Sequence, residues 1–149
     1  MGALFKVFPL ILVPVLIYNF WAVFGGADPS AIRAGMLEPL GDGVPMASSE
    51  SGVGVSWMLT GGDVLVLIGL VCLFVELLKS TSTGTMAIFN HALSMLVFIL
   101  CLVEFLLHPA FATSTFFFLM VMSLLDVLAG VVVTIVAARR DVDFGSGGA

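Results

Sequence analysis

Residues 113–138 read TSTFFFLMVMSLLDVLAGVVVTIVAA, and Arg139 and Arg140 follow at once. An α-helix needs about 20 mainly apolar residues to cross about 30 Å of hydrocarbon. A helix that covers a soluble core would carry a polar face, which this stretch lacks. The stretch therefore predicts a helix that spans a membrane and ends at the two arginines.

Three further stretches upstream have the same character. They read LFKVFPLILVPVLIYNFWAVFG over residues 4–25, GDVLVLIGLVCLFVELLK over 62–79, and MAIFNHALSMLVFILCLVEFLL over 86–107. Strands of a membrane barrel would instead alternate apolar and polar residues over about 10 positions. We therefore predict an all-α integral membrane protein, with four transmembrane helices in an up-down bundle that forms a single domain over residues 1–149.

The composition points the same way and excludes several classes of protein. Of 149 residues, 60% are hydrophobic and 10% are charged, and the mean hydropathy is +1.22. Average soluble domains have roughly 45–50% apolar and about 25% charged residues. An ordinary water-soluble enzyme and a disordered chain are therefore excluded. The net charge of −5 argues against a nucleic-acid partner.

Lysine and arginine placement predicts the orientation. With four spans, four of the five cations fall on one side: Lys6, Lys79, Arg139 and Arg140. Arg33 falls on the other side. The positive-inside rule then places both termini, with the tail 139–149, in the cytoplasm. The long loop 26–61 is expected in the periplasm, and the protein in the inner (plasma) membrane.

The first segment has some features of a secretory signal. Lys6 precedes an apolar run, and the small residues 25–27 follow it. The apolar run from Val7 to Phe24 is longer than the apolar part of such signals, which usually has about 7–15 residues. We expect a true span that is bent near Pro14, because proline removes a backbone hydrogen bond.

Two helix starts can be predicted in the loop and after it. Asp28 followed by Pro29 is typical of an N-cap and a first helical residue, so a short helix is expected from Pro29 to about Leu37. Thr60 and Asp63 match the capping-box spacing in front of an apolar run. Short connections on either side of the third span predict that the last three helices pack as antiparallel neighbours.

Other parts of the loop and tail have no clear helical signal. Residues 48–54 are small and polar and are expected to be mobile. Trp57 fits an anchor at the membrane surface. The tail from residue 141 is acidic, then glycine-rich, and a disordered end is expected.

Each of the last three spans carries small and polar residues on one face. The second span has Gly62, Gly69, Cys72 and Glu76; the third has Asn90, Ser94, Cys101, Glu104 and His108; the fourth has Ser123, Asp126, Gly130, Thr134 and Ala137. At 100° per residue each set falls on one face. We predict that these faces meet inside a bundle, with Gly69, Gly130 and Thr134 as packing positions and aliphatic residues toward lipid.

The acids in these faces are the candidate site residues, with Asn90, His91 and His108 as neighbours. Along the helices, Glu76 is expected about 5 Å from the cytoplasmic end of its span, Asp126 about 20 Å from either end, and Glu104 about 6 Å from the outer end. Glu76 is expected to reach Asn90 or His91, and Glu104 to reach His108 or Asp63. These residues are interhelix polar contacts or stations for a proton or cation.

Asp126 is the most informative of them. A charged aspartate at a helix centre costs about 2.5–3.5 kcal/mol on insertion scales. It therefore needs a partner, a water pocket or a proton. Either it is protonated and bonds to a neighbouring helix, including one from another copy, or it carries protons or cations.

No cofactor, metal or catalytic set is expected. His91 and His108 lie near opposite ends of one helix and cannot ligate one haem. Glu104 and His108 offer two ligands on one face, whereas a metal site needs three or four. Cys72 and Cys101 are interpreted as small apolar residues.

Two stretches resemble parts of small four-helix inner-membrane proteins of bacteria. They are MLTGGDVLVLIGL at 58–70 and TIVAARRDVDFG at 134–145. The resemblance implies a multi-pass membrane protein and carries no activity.

Two functions remain open at this point. The first is a non-enzymatic structural or accessory subunit that associates with itself or docks to a larger membrane complex. The alternative is a small proton- or cation-coupled transporter or channel that uses the intramembrane carboxylates. In both, the lipid bilayer is the expected surrounding.

Overall fold

The computed structural model describes residues 7–24, 28–48, 54–79 and 85–145. Within these ranges it is mainly helical. The elements in chain order are α1 (Leu12–Phe24), α2 (Pro29–Leu37), β1 (Val44–Ser48), β2 (Gly54–Trp57), α3 (Gly61–Lys79), α4 (Thr85–Leu107), a single 3-10 turn (Pro109–Phe111) and α5 (Ser114–Gly145).

Among the described residues, three helices are long and apolar enough to cross a membrane. Their apolar parts are Gly61–Lys79, Ile88–Leu107 and Ser114–Val136, with mean hydropathies of 2.3, 2.0 and 2.5. The prediction of a helical membrane protein is confirmed at this level. The fourth apolar helix, α1, has 13 residues, which is about 20 Å at 1.5 Å per residue.

The bend predicted near Pro14 is wrong in position. Helix α1 starts at Leu12, after a turn in which Leu12 N–H donates to the Pro9 carbonyl at 3.1 Å. Pro14 therefore occupies the first helical turn. The missing N–H costs little there, because N–H groups of a first turn have no partner within the helix. The chain bends ahead of the helix and not inside it.

Both predicted helix starts are confirmed. Asp28 caps α2, and its carboxylate accepts from the Ser30 N–H at 3.0 Å and from the Ser30 hydroxyl at 2.8 Å. These two bonds, of which the one from the backbone N–H has the larger effect, hold the pKa of Asp28 below its ordinary value. Thr60 and Asp63 form a reciprocal capping box at the start of α3.

The loop contains a hairpin that the sequence pattern did not predict. Strands β1 and β2 are antiparallel, with Val44 opposite Trp57. Gly43 precedes β1 with φ of +78°, a conformation that favours glycine. Of the segment predicted to be mobile, residues 49–53 lie outside the described residues.

Helix α5 is longer than predicted. It runs to Gly145, so the first part of the tail is helical and not disordered. The reason is visible in the sequence, since no glycine or proline lies between Gly130 and Gly145. Residues 146–149 lie outside the described part of the chain.

Helix α5 is the centre of the bundle and packs against both α3 and α4. Close approach of α3 depends on glycine. A Cβ on Gly69 would stand 2.9 Å from Leu119 Cδ2 and from Met122 Sδ. Aliphatic and aromatic side chains such as Leu67, Val71 and Phe74 are exposed on the opposite side of α3, as expected for a surface in lipid.

At the end of the bundle where α3 and α5 begin, called the outer end after the orientation predicted from the sequence, α2 packs against α3 and the 3-10 turn. Beneath it lies an aromatic cluster in which the ring of Tyr18 is 4.8 Å from Phe116 and 5.5 Å from Phe111, centroid to centroid. The opposite end of the bundle holds the polar residues described next.

Candidate functional site

Glu76 is the anchor of a buried group of polar side chains. It is fully buried, three residues before the end of α3. Its carboxylate lies 3.0 Å from Lys79 Nζ and accepts a hydrogen bond from the Asn90 side-chain amide. The predicted contact with Asn90 is therefore present, and Lys79 supplies the opposite charge on the next turn of the same helix.

The segment before α1 closes the other side of Glu76. Leu10 N–H donates to Glu76 Oε2 at 2.9 Å, and Lys79 Nζ donates to the Phe8 carbonyl at 2.6 Å. Leu10 precedes α1, so its N–H has no role in the hydrogen bonding of that helix. The start of the described chain thus completes the hydrogen bonds of an acid on α3.

Asp126 lies at nearly the same level of the bundle as Glu76, whereas the sequence suggested different depths. Glu76 is 15 residues from the start of α3 and Asp126 is 12 residues from the start of α5, or about 22 Å and about 18 Å along parallel helices. Glu76 accordingly lies within electrostatic range of Asp126. The expected depths were wrong because each was measured from the C-terminal end of its own helix. These ends do not lie at one level, since α3 ends at Lys79 whereas α5 continues to Gly145.

We call Glu76, Lys79, Asn90, His91, Ser94 and Asp126 the polar centre. Ser94 faces Asp126, and both Lys79 and His91 lie within electrostatic range of it. Asp126 is 4% exposed, Ser94 1% and Asn90 7%. The polar centre is therefore enclosed by the described helices of one chain.

Four buried atoms of the polar centre have no hydrogen-bond partner among the described residues: Asn90 Oδ1, His91 Nδ1, Ser94 Oγ and Asp126 Oδ2. We call them the open polar atoms. A buried polar atom without a partner costs about 1–3 kcal/mol. Such atoms are typical of sites that receive a water, an ion or a proton.

His91 lies against the backbone of α5. A Cβ placed on Gly130 would collide with His91 Nδ1, so the histidine ring fills the space that glycine leaves. Gly130 was predicted as a packing position. The structure gives it a particular neighbour, because it makes room for a titratable side chain of the polar centre.

Glu104 belongs to a different level of the bundle. It is 14 residues beyond Asn90 on α4, which is about 21 Å along the helix. Its Oε2 accepts from Asn19 Nδ2 at 3.2 Å, and His108 lies within electrostatic range. The predicted contact with Asp63 is absent from the described hydrogen bonds, since Asp63 is engaged by Thr60.

The remaining predicted residues lie outside the polar centre. His108 is exposed beyond the end of α4, where its ring meets the edge of Phe111. Thr134 is exposed on α5 and donates to the Gly130 carbonyl, one turn earlier on the same helix, at 2.9 Å, so its role in packing stays a prediction. Cys72 and Cys101 carry free thiols.

Three participants were missed as site residues. Lys79 was used only for orientation, although its i,i+3 spacing from Glu76 is typical of a helical ion pair. Ser94 was assigned to the inner face but not to the site. The third is the backbone N–H of Leu10, the residue after Pro9. A backbone N–H ahead of a helix has no partner within that helix, so it can donate to a buried acceptor.

The chemistry available here is electrostatic. Glu76 and Lys79 form a neutral pair, so an ionised Asp126 leaves one negative charge in the polar centre. Within the ranges that the structure describes, no three His, Cys, Asp or Glu side chains gather as a metal site of that type requires. Comparison with protein-family models, curated proteins and solved structures gives no match for this chain.

Proposed function

We propose that this chain is a non-enzymatic, multi-pass protein of the inner (plasma) membrane that acts as a small proton- or cation-coupled transporter or channel. Glu76 and Asp126 are its intramembrane carboxylates. In this proposal α1, with the turn before it, is the first of four spans, and both termini are cytoplasmic.

One observation carries the proposal: Asp126 is enclosed within a single chain, and its Oδ2 lacks a partner in the described ranges. Had Asp126 served to join two copies, it would be expected on the outer surface of the bundle. A permanently bonded structural aspartate would have both oxygens satisfied. An acid that exchanges a proton or cation needs a free oxygen when it is unloaded.

The surroundings of Asp126 suit such an exchange. Lys79 is bonded to Glu76 and to the Phe8 carbonyl, so its charge is held close to the site without occupying it. His91 is partly exposed and lies toward the start of α4, the end expected at the cytoplasm. This arrangement supports access to Asp126 from that side.

The test is flux through the full chain reconstituted in lipid vesicles, with a pH-sensitive dye inside and imposed proton or Na⁺ gradients. We expect flux for the native chain and its loss in Asp126→Asn, which keeps the shape but cannot ionise. Ser123→Ala is the matched control, because Ser123 is buried on α5 and donates to the Met120 carbonyl at 2.7 Å.

Two results would count against the proposal. One is a folded native chain that passes neither ion under either gradient. The other is an Asp126→Asn chain that retains full flux. Loss of flux in Ser123→Ala to the same degree would mean that packing of α5, and not the carboxylate, is being measured.

A structural or accessory subunit is the second candidate, and a separate observation favours it. The outer end of the molecule exposes apolar side chains outside the long helices, including Leu37, Leu40, Val44 and Trp57. A hollow in this surface is lined by Trp57 together with Leu40, Gly41, Gly43 and Val44. Such a surface fits contact with the bilayer surface or with another membrane protein.

The second candidate is tested by native mass measurement after mild extraction. An accessory role predicts an assembly heavier than one chain that is weakened by Trp57→Ser and Leu40→Ser together. The small-residue faces of α3 and α5 do not argue for self-association, because they are already packed within one chain. A single chain as the extracted species would contradict this candidate.

A further inference from the structure

We propose that the polar centre holds one monovalent cation of the size of Na⁺, with Asn90 Oδ1, Ser94 Oγ and the Asp126 carboxylate as its protein ligands. The proposal rests on the proposed function and narrows it to a ligand and a site.

Two of these oxygens belong to one face of α4, and the third belongs to α5, the helix that α4 packs against. Asn90 and Ser94 are one turn apart on α4, and their side chains are buried on the same face. The amide nitrogen of Asn90 is engaged by Glu76, so its oxygen remains available. Ser94 faces Asp126 across the α4–α5 contact.

The chemistry of the open polar atoms favours a cation over a single proton. A proton on Asp126 would satisfy Oδ2 and one acceptor, and would leave other buried oxygens unpaired. Hard cations bind carboxylate, amide and hydroxyl oxygens together. One cation therefore satisfies three of the four open polar atoms, and only His91 Nδ1 is left.

The charge balance sets the valence. The groups that face Asp126 are Glu76 and Lys79 on α3 and His91 on α4. Glu76 and Lys79 form an ion pair whose charges cancel, so the charge that remains to be balanced is that of an ionised Asp126. A single monovalent cation makes the centre neutral, whereas a divalent ion would leave an uncompensated charge inside the membrane.

The experiment uses the full chain in detergent micelles, titrated with NaCl, LiCl or KCl at constant ionic strength against N-methyl-D-glucamine chloride. The readouts are the thermal unfolding midpoint and the heat of binding. We expect a saturable rise of the midpoint with Na⁺ at one site per chain, because a ligand of the folded state stabilises it. The large organic cation should give no such rise.

Ser94→Ala and Ser123→Ala form the matched pair, since both remove one buried hydroxyl. We expect Ser94→Ala to weaken Na⁺ binding about tenfold or more, and Ser123→Ala to change it less than about twofold. Ser94→Thr keeps the hydroxyl and should keep binding, which preserves the test if Ser94→Ala folds poorly. Equal weakening by the two alanine variants would overturn the proposal.

The failure of this proposal can be distinguished from that of the proposed function. If no alkali cation stabilises the native chain while proton flux still depends on Asp126, the cation site is wrong and a proton site stands. If both the cation effect and the flux are absent, both proposals are wrong. Equal stabilisation by N-methyl-D-glucamine and Na⁺ would be an effect of ionic strength and would also overturn the site.

Discussion

Glu76 and Asp126 lie at nearly the same level of the bundle, although one is close to the end of α3 and the other is near the middle of α5. The two helices run in the same direction, with Gly62 against Thr115 and Gly69 against Leu119. Two acids at one level, with a lysine bonded to the first, form an asymmetric pair. Glu76 is paired with Lys79, whereas Asp126 Oδ2 has no hydrogen-bond partner among the described residues.

Gly130→Ala is expected to displace His91, because the new Cβ would collide with Nδ1 of its ring. Overpacking of this kind costs about 1–3 kcal/mol. The measurement is unfolding in mixed micelles, followed by circular dichroism. Val132→Leu is the control, since Val132 is exposed on the same helix. Equal loss of stability in both variants would contradict the close contact of His91 with α5.

Gly62→Ala is expected to be more damaging than Gly69→Ala. A Cβ on Gly62 would stand 2.9 Å from the Met36 carbonyl oxygen, a backbone atom that cannot rotate away. At Gly69 the nearest atoms are the ends of Leu119 and Met122, which have other rotamers. Unfolding of the two variants under the same conditions tests this order of stability. A larger loss of stability in Gly69→Ala than in Gly62→Ala would contradict the rigid contact at Gly62.

The helical class, three of the four predicted membrane-length helices and both caps could be predicted because they depend on local patterns of polarity. Helical spacing indicated that Asp126, Ser94 and Asn90 belong inside. The common level of Glu76 and Asp126 could not be predicted in this way, because it depends on how two helices are aligned along their length. The contact of Leu10 with Glu76 is likewise a tertiary contact that no helical period encodes.

The hairpin and the start of α1 were missed for a related reason. Strand β1 contains a proline, which lowers the strand signal, and its partner is short. Pro14 suggested a kink, but a proline is also accepted in the first turn of a helix. Which of the two applies is decided by Pro9 and the turn that it starts.

Tyr18→Phe is expected to loosen the outer end of the bundle. The hydroxyl donates to the Ala110 carbonyl at 3.0 Å and lies 2.7 Å from Thr113 Oγ1. Its removal leaves a buried carbonyl without this donor and should cost about 0.5–1.5 kcal/mol. Phe20→Leu, on the exposed side of α1, is the control in the same unfolding assay. An unchanged free energy of unfolding in Tyr18→Phe would mean that ring packing alone holds α1 at this end.

The cap of α2 is expected to weaken in acid. Hydrogen bonds from Ser30 lower the pKa of Asp28 in the folded chain, so the stabilisation is present above the pKa of the unfolded chain and is lost as the pH falls through the folded pKa. The measurement is amide exchange at Ser30 between about pH 6 and about pH 3. Asp28→Asn also caps a helix but does not titrate, so its protection should change less over this range.

The proposed orientation is tested by cysteine labelling in a Cys72→Ala, Cys101→Ala background. Asp42→Cys lies in an exposed part of the loop and should react with an impermeant reagent added outside intact cells. Ser146→Cys should react only after the membrane is opened. Outside labelling at position 146 would mean that the chain crosses the membrane an odd number of times or in the opposite direction.

The bond between Leu10 and Glu76 also has a consequence for biosynthesis. The ribosome makes Leu10 long before Glu76, so the segment before α1 is synthesised while its hydrogen-bond acceptor does not yet exist. The segment can take its hydrogen-bonded position only after α3 has been synthesised. The final packing of the first helix therefore follows the translation of residue 76. This part of the chain is synthesised early and is among the last to reach its folded position.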